Sequence, residues 1–359
     1  MFDLKAHLRS LVEAHAPSGH EAPIRDIVRD AWAGWVDEFQ QDKLGSLIGI
    51  RRATRRTDTP RRIMLAAHMD EIGMMVTRLV DGFIAFQPVA GTDNRLLLAQ
   101  PVLVHGRETL RGVVSTVPPH LLKGNGNKYS DFPSLLIDVG LNADELAQLV
   151  RPGDLITMDA PMIELGSGRV AAKAMDDRAC VAAVSVCLEA LQNMHHTWDV
   201  YAAATVQEET GLLGAKTAAH AIKPDIAIAL DVAFGKQPGV NDDKTIDMGV
   251  GPGIGIGPNF HPKLNEKLRE TARSLEMKLQ DDLLPGNSGT DAWAIQVALQ
   301  GVPTALLGVP IRSMHSPVET AELRDIERTG RLLAAFIAGL EPDFMTTIAW
   351  DDLKAEASG

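Results

Sequence analysis

Arg62-Ile63-Met64-Leu65-Ala66-Ala67-His68-Met69-Asp70 is the stretch from which the rest of the chain can be read. A short apolar run of this kind has the character of a buried strand. It ends in an imidazole and a carboxylate, and ligands of open α/β sheets bind just past the carboxyl ends of the strands. The pattern recurs along the chain. A strand over 200–206 leads into Glu208 and Glu209, a strand over 226–230 into Asp231, and a strand over 304–307 is followed shortly by His315. Asp176 and Asp177 stand immediately before a helical pattern over 178–191, and further helices are expected over 215–221, 262–275, 291–299 and 322–340. Strands and helices alternating in this way make an α/β domain with a mostly parallel central sheet.

Before this stretch, Leu4, Leu8, Leu11 and Val12 keep helical spacing, and a second helix carries Ile24, Ile27, Val28 and Ala31. Between them Ser18 and Glu21 stand in the Ser-x-x-Glu pattern of a capping box. After it the texture changes. Short β-rich runs over 74–80, 83–89, 102–105, 110–117, 135–139 and 155–158 are separated by Gly, Pro, Asn and Asp, which reads as a small β-barrel inserted into the α/β domain. The expected division is a discontinuous catalytic domain of residues 1–70 and 163–359, with an inserted barrel domain of residues 71–162.

A chain of 359 residues is long enough for one large domain and a smaller one. With 45% hydrophobic and 23% charged residues it is an ordinary folded globule, neither disordered nor a coiled coil. The 47 acidic against 35 basic residues give a net charge of −12, which argues against nucleic-acid or anionic-membrane partners, since both need a basic surface. Cys180 and Cys187 lie seven residues apart on one helix, roughly 10 Å along its axis, too far to bridge. Reduced thiols and the absence of a signal-peptide pattern at the start are read as a cytoplasmic address, and no stretch reaches the length of a transmembrane span.

The strand-end residues carry the chemistry. Two imidazoles and several carboxylates converging on one sheet edge form a site for two divalent metals. Without cations the carboxylates would repel one another and some would stay protonated. Nitrogen and oxygen ligation suits Zn²⁺, Co²⁺ or Mn²⁺.

Six ordered motifs then point to a family. His68-Met69-Asp70-Glu71-Ile72-Gly73, Lys173-Ala174-Met175-Asp176-Asp177-Arg178, Gln207-Glu208-Glu209-Thr210-Gly211, Asp231-Val232, Gly289-Thr290-Asp291 and Met314-His315-Ser316-Pro317-Val318-Glu319 together resemble the tetrahedral (TET) dinuclear metalloaminopeptidases. That family includes glutamyl, leucyl and deblocking aminopeptidases and some chains that carry the name cellulase. The resemblance spans nearly the whole chain, Asp42-Lys43-Leu44-Gly45 included. It implies a discontinuous phosphorylase- or zinc-aminopeptidase-like catalytic domain, and an aminopeptidase that attacks peptides with a free N-terminus through a metal-bridging water. It also implies the residue roles. His68 and Asp231 would bind one metal and Glu209 and His315 the other, with Asp176 bridging both. Asp70 would orient the His68 imidazole, and Glu208 would be the general base. The Asp176-Asp177 bond would be cis. The ions implied are Zn²⁺ or Co²⁺, with Mn²⁺ compatible. The barrel would be a dimerisation domain, and dimers would build a hollow dodecamer with inward-facing sites. One motif departs: Ala90-Gly91-Thr92-Asp93 stands where the family often has Gly-Gly-Trp-Asp.

Other features take plainer readings. His195-His196 reads as a solvated helix cap, and the arginines of 51–62 as a solvated hairpin tip. The glycines of 249–257 fit no phosphate-loop spacing and read as a place of close backbone approach. His120 and His261 are candidates for the substrate pocket. A basic pocket lining would select acidic N-terminal residues, an acidic lining Lys or Arg, and an apolar one Leu or Met. Two rival functions are a metal-independent glycosidase, which gives His68 and His315 no role, and a catalytically silent assembly subunit, which the retained Glu208 and metal-ligand candidates disfavour.

Overall fold

The computed structural model describes residues 2–55, 57, 60–117 and 134–349. The strands are β1 Glu38–Gln41, β2 Leu47–Arg51, β3 Arg62–His68, β4 Gly73–Val80, β5 Phe83–Val89, β6 Pro101–His105, β7 Thr109–Ser115, β8 Leu136–Asp138, β9 Leu155–Met158, β10 Ile163–Glu164, β11 Arg169–Ala172, β12 Asp199–Thr205, β13 Ile226–Phe234, β14 Gly253–Ile256, β15 Gln280–Leu283, β16 Thr304–Arg312 and β17 Glu319–Glu322. The helices are α1 Leu4–Val12, α2 Ala22–Trp32, α3 Ala143–Leu149, α4 Met175–Leu191, α5 Leu213–Ile222, α6 Pro262–Ser274, α7 Asp291–Ile295, α8 Leu323–Ala338 and α9 Phe344–Thr347.

One sheet runs β1-β2-β12-β3-β13-β16-β17-β11-β10, with β14 and β15 branching from β16. Its centre, β12-β3-β13-β16, is parallel, and antiparallel strands flank it. Side-chain alternation sorts each central strand between two cores. Ile63, Leu65 and Ala67 of β3, Val200, Ala202 and Ala204 of β12, and Ile226, Ile228 and Leu230 of β13 face the larger core, which α4 and α8 help to form. Met64 and Ala66, Tyr201 and Ala203, Ala227 and Ala229 face the smaller core under α5 and α7. The second row continues past the helices. His68, Thr205 and Asp231 are its next members, so the same period of two that packs the core delivers polar groups to the sheet's edge. On the other face α4 and α8 approach so closely that a Cβ on Gly330 would meet the carbonyl of Ala183 and lie 2.5 Å from Val186 Cβ.

Between β3 and β10, strands β4-β5-β8-β7-β6-β9 close into a barrel with its own core, including Val76, Phe86, Val102, Val104 and Ile156. The sequence pattern misses α3, a short helix among β-rich runs whose Asn142 and Glu145 form a true capping box.

Several expectations are corrected. Ser18 and Glu21 do not cap α2: Glu21 sits at the N-cap position with no side-chain cap bond, and both side chains serve other partners described below. The arginine-rich segment after β2 is not a hairpin tip, because β12 lies between β2 and β3. Arginines at both ends of it are also engaged. Arg51 donates to the carbonyls of Trp35 and Leu191, Arg52 pairs with Asp199 at 3.0 Å, and Arg62 donates to the Ile222 carbonyl. His196 is no solvated cap: it is buried, with Nδ1 2.7 Å from the Trp198 carbonyl, while His195 is exposed. Helix α7 ends at Ile295, short of the expected 299. The glycine run does allow close approach, since a Cβ on Gly257 would collide with the Leu284 carbonyl.

Candidate metal centre

Asp176 stands at the centre. Its peptide bond to Asp177 is cis, and regular helical backbone begins only after Asp177. The carboxylate points its two oxygens at two different imidazoles. Oδ1 lies 3.1 Å from Nε2 of His68, and Oδ2 lies 3.3 Å from Nε2 of His315. Asp231 joins Asp176 and His68 in one group of potential ligand atoms, and Glu209 joins Asp176 and His315 in a second, each group within 4.8 Å. The five sequence candidates for metal ligation are therefore brought together in two groups that share Asp176.

The other two candidates flank these groups. Asp70 is fully buried, with Oδ1 3.4 Å from His68 Nδ1. It also accepts hydrogen bonds from Ser18 Oγ at 2.5 Å and from the backbone amides of Glu208 at 3.0 Å and Glu209 at 3.3 Å. Asp70 thus fixes the backbone of the Glu208-Glu209 turn and stands beside the His68 imidazole. The Glu208 carboxylate lies 3.8 Å from His68 Nε2 and lines the cavity in front of the two groups.

Two further carboxylates hold the turns. Glu21 accepts from the amides of Gly19 and Gln207, the latter a left-handed residue that aims Glu208 inward. Glu319 accepts from the amide of Asp176 at 3.0 Å and of His315 at 2.6 Å, so one carboxylate grips the backbone of the shared residue and of a member of the second group. Ala174, Gln207 and His315 all have positive φ, a conformation that costs non-glycine residues about 1–3 kcal/mol unless neighbours hold it. These carboxylates are the neighbours that do so at Gln207 and His315. Sequence reading gave Glu319 no role and gave Glu21 the wrong one, because their partners are remote in the chain. Behind the site, Glu71 pairs with Lys173 at 2.7 Å and Arg178 at 3.3 Å, while Arg178 also donates to the carbonyls of Leu11, Ala14 and Met69. That fully paired buried cluster ties the start of α4 to the strand-end segment carrying His68.

The electrostatics fit cations. Burial pushes the Glu208 pKa up to about 10, with His68 pulling down and Asp231, Asp291 and Glu209 pushing up. Asp231 and Asp177 are likewise driven well above the carboxylate range by burial and by acidic neighbours. Hydrogen bonding to Asp176 and Glu209 raises His315 to about 11. For His68, burial on its own lowers the pKa, and Asp176 and Asp70 outweigh it. Buried carboxylates that repel one another, with imidazole nitrogens set between them, form a donor set chemically suited to divalent ions.

The barrel reaches this site. A Cβ on Gly91 would lie 2.7 Å from His315 Nδ1, so only glycine lets that loop pass the imidazole. Next to it, Thr92 donates to the Gly73 carbonyl and Asp93 pairs with Arg95. The cavity in front of the metal groups, about 490 Å³, is lined by residues including Leu212, Val232, Phe234, Asp282, Leu284, Asn287, Thr290 and Met314. His261 is not among them: it precedes α6 and lines a separate cavity with Gln296 and Gln300. His120 lies outside the described residues.

The chain is similar to known proteins along most of its length. Residues 45–332 match the model of the family described as M42 glutamyl aminopeptidase. The chain is 38% identical over 344 residues to a lysyl aminopeptidase of Pyrococcus furiosus, covering 93% of this chain and 97% of that one. Among solved structures, an aminopeptidase of the archaeon Desulfurococcus kamchatkensis superposes with a TM-score of 0.88 at 36% identity, covering 97% of this chain and 98% of that one. The TET1 peptidase of Pyrococcus horikoshii, which can assemble into a tetrahedron or a large octahedral shell, superposes with a TM-score of 0.82 at 30% identity, covering 94% of this chain and all of that one.

If Glu319 sets the ligand geometry, Glu319→Gln, which exchanges one acceptor oxygen for a donor, should weaken Zn²⁺ binding by roughly 10–100-fold, the usual effect of losing a group that orients ligands. Calorimetric titration of the folded variant checks this, and wild-type affinity would show that Glu319 is dispensable.

Proposed function

The chain belongs to the M42 glutamyl aminopeptidase family and is a metal-dependent aminopeptidase, and we propose that it works through two metal ions held by the groups around Asp176. The observation that carries this reading is the pair of Asp176 oxygens, each facing a different imidazole. His68 and Asp231 would hold one ion, Glu209 and His315 the other, and Asp176 both. The donor set is nitrogen and oxygen only, which suits Zn²⁺ or Co²⁺ and is compatible with Mn²⁺. When bound, such ions lower the pKa of water and polarise a carbonyl oxygen.

The protein's own groups do the rest. Glu208, buried beside the site and unclaimed by either ligand group, takes the proton of the attacking water and delivers it to the leaving amine. It lines the cavity in front of the two groups, and although burial alone favours its neutral form, cations bound beside it would leave it ionised and able to accept a proton. Asp70 keeps His68 oriented and the Glu208 turn in place. The substrate is a peptide with a free N-terminus, whose ammonium suits a site rich in carboxylates. A glycosidase needs only two carboxylates flanking a sugar and would leave the imidazoles without a purpose.

For assembly, we take residues 1–70 and 163–359 as the catalytic domain and 71–162 as a dimerisation domain, with dimers building a dodecamer. Exposed Leu96, Leu98, Val113 and Val117 between and along barrel strands support an interface there. A cytoplasmic address is supported by two free cysteines, Cys180 and Cys187. No helix among the described residues is long and apolar enough to cross a membrane.

Glu208→Gln tests the base directly. The variant should keep wild-type metal content, measured by elemental analysis, while kcat on aminoacyl chromogenic substrates falls by about 100-fold or more, within the range typical for loss of a general base. Loss of metal together with activity would make Glu208 a ligand instead. For assembly, light scattering should give one species with the mass of about twelve chains, and a dimer that persists at every metal concentration would refute the shell.

A further inference from the structure

The cavity contains a carboxylate that the reaction does not use. Asp176, Glu208, Glu209 and Asp231 are accounted for as ligands or base, which leaves Asp282 among the acids of the lining. Its place follows from the sheet. In the β14-β15 pair Asp282 stands opposite Gly255, β14 joins β16 through Gly253 and Gly308, and Gly308 is in register with Asp231 on β13. Residue 308 has no room for a side chain, since a Cβ there would lie 2.8 Å from the Cβ of Ala233 on β13. Asp282 Oδ2 lies 3.8 Å from where a Cβ on Gly308 would sit.

Three observations give this carboxyl a substrate role. First, it is half-buried and makes no ion pair with any described residue, whereas its exposed neighbour Asp281 pairs with Arg269 at 2.6 Å. Burial alone raises its pKa, with no charged neighbour contributing. Second, among the described residues the cavity lining includes no Lys or Arg to neutralise it. Third, the same cavity presents apolar side chains, Val232, Phe234, Leu284 and Leu306 among them. A desolvated anion at the side of an apolar channel matches a side chain with a hydrocarbon stem and a cationic end.

We propose that Asp282 selects peptides whose N-terminal residue is lysine or arginine, by pairing with the cation of that side chain while its stem lies against the apolar walls. This rests on the aminopeptidase reading of the same site. A charge-assisted hydrogen bond in such a place supports discrimination of at least tenfold against an uncharged side chain of similar length.

The test uses the metal-loaded full-length protein with lysyl, arginyl, norleucyl and glutamyl p-nitroanilides, and in parallel calorimetric binding of the free products L-lysine and L-norleucine. Wild type should favour the two basic substrates. Asp282→Asn should lower the lysyl-to-norleucyl ratio of kcat/KM at least tenfold, mainly through the KM for the lysyl substrate. Asp281→Asn, beside it but outside the cavity, should leave the ratio as in wild type. Lysine should bind more tightly than norleucine, and Asp282→Asn should remove that difference. Hydrolysis with a ratio insensitive to Asp282→Asn would overturn the specificity role and leave the aminopeptidase standing. Lysine binding that depends on Asp282 without hydrolysis of any substrate would uphold this subsite and overturn the aminopeptidase reading. Equal binding of lysine and norleucine would overturn the subsite.

Discussion

Three buried carboxylates that bind backbone amides hold the site together. Asp70 takes the amides of Glu208 and Glu209, Glu21 takes that of Gln207, and Glu319 takes those of Asp176 and His315. Burial raises the pKa of Glu21 and takes that of Glu319 to about 8, and the amide hydrogen bonds oppose that rise by favouring the charged form. Each of the three carboxylates joins segments far apart in sequence, so the residues proposed to face the metals come from turns whose backbone is fixed by chemistry outside the ligand groups. Gln207 and His315 adopt left-handed backbone conformations under that constraint. Without it, short polar turns at strand ends would have no reason to converge.

The same arrangement concentrates negative charge. Glu208, Asp231 and Asp177 are pushed upward by burial and by one another, while His315 is raised by the carboxylates it touches. A site with these shifts is poorly satisfied by protein groups alone and well satisfied by divalent cations, which would return the carboxylates to their ionised form. The paired Glu71, Lys173 and Arg178 beneath it show the contrast: there the chain supplies its own counter-charges. The difference separates a structural ionic cluster from one open to ligands, and it also singles out Asp282, a carboxyl of the cavity that makes no ion pair among the described residues.

Much of this was legible from sequence because the sheet is regular. Alternation along β3, β12 and β13 forces His68, Thr205 and Asp231 onto one face at one edge, and an apolar run followed by a polar residue is enough to expose that. What escaped was set by contacts across the chain. Ser18 and Glu21 have the spacing of a helix cap, yet the Asp70 carboxylate and the Gln207 amide outcompete the local geometry. The capping box that does form, Asn142 with Glu145, starts a helix too short to stand out among barrel strands. The approach of Gly91 to His315 and of Asp282 to the cavity depends on how two separate segments fold over the sheet edge, and neither leaves a local mark in composition or period.

Everything proposed for the site turns on Asp176 being shared between two ions. Metal titration of wild type and Asp176→Asn, by calorimetry with Zn²⁺ and by elemental analysis after dialysis, tests it most directly. Two ions per wild-type chain, with both sites weakened together in the variant, is the result this account predicts. A variant that keeps one site at wild-type affinity would contradict it.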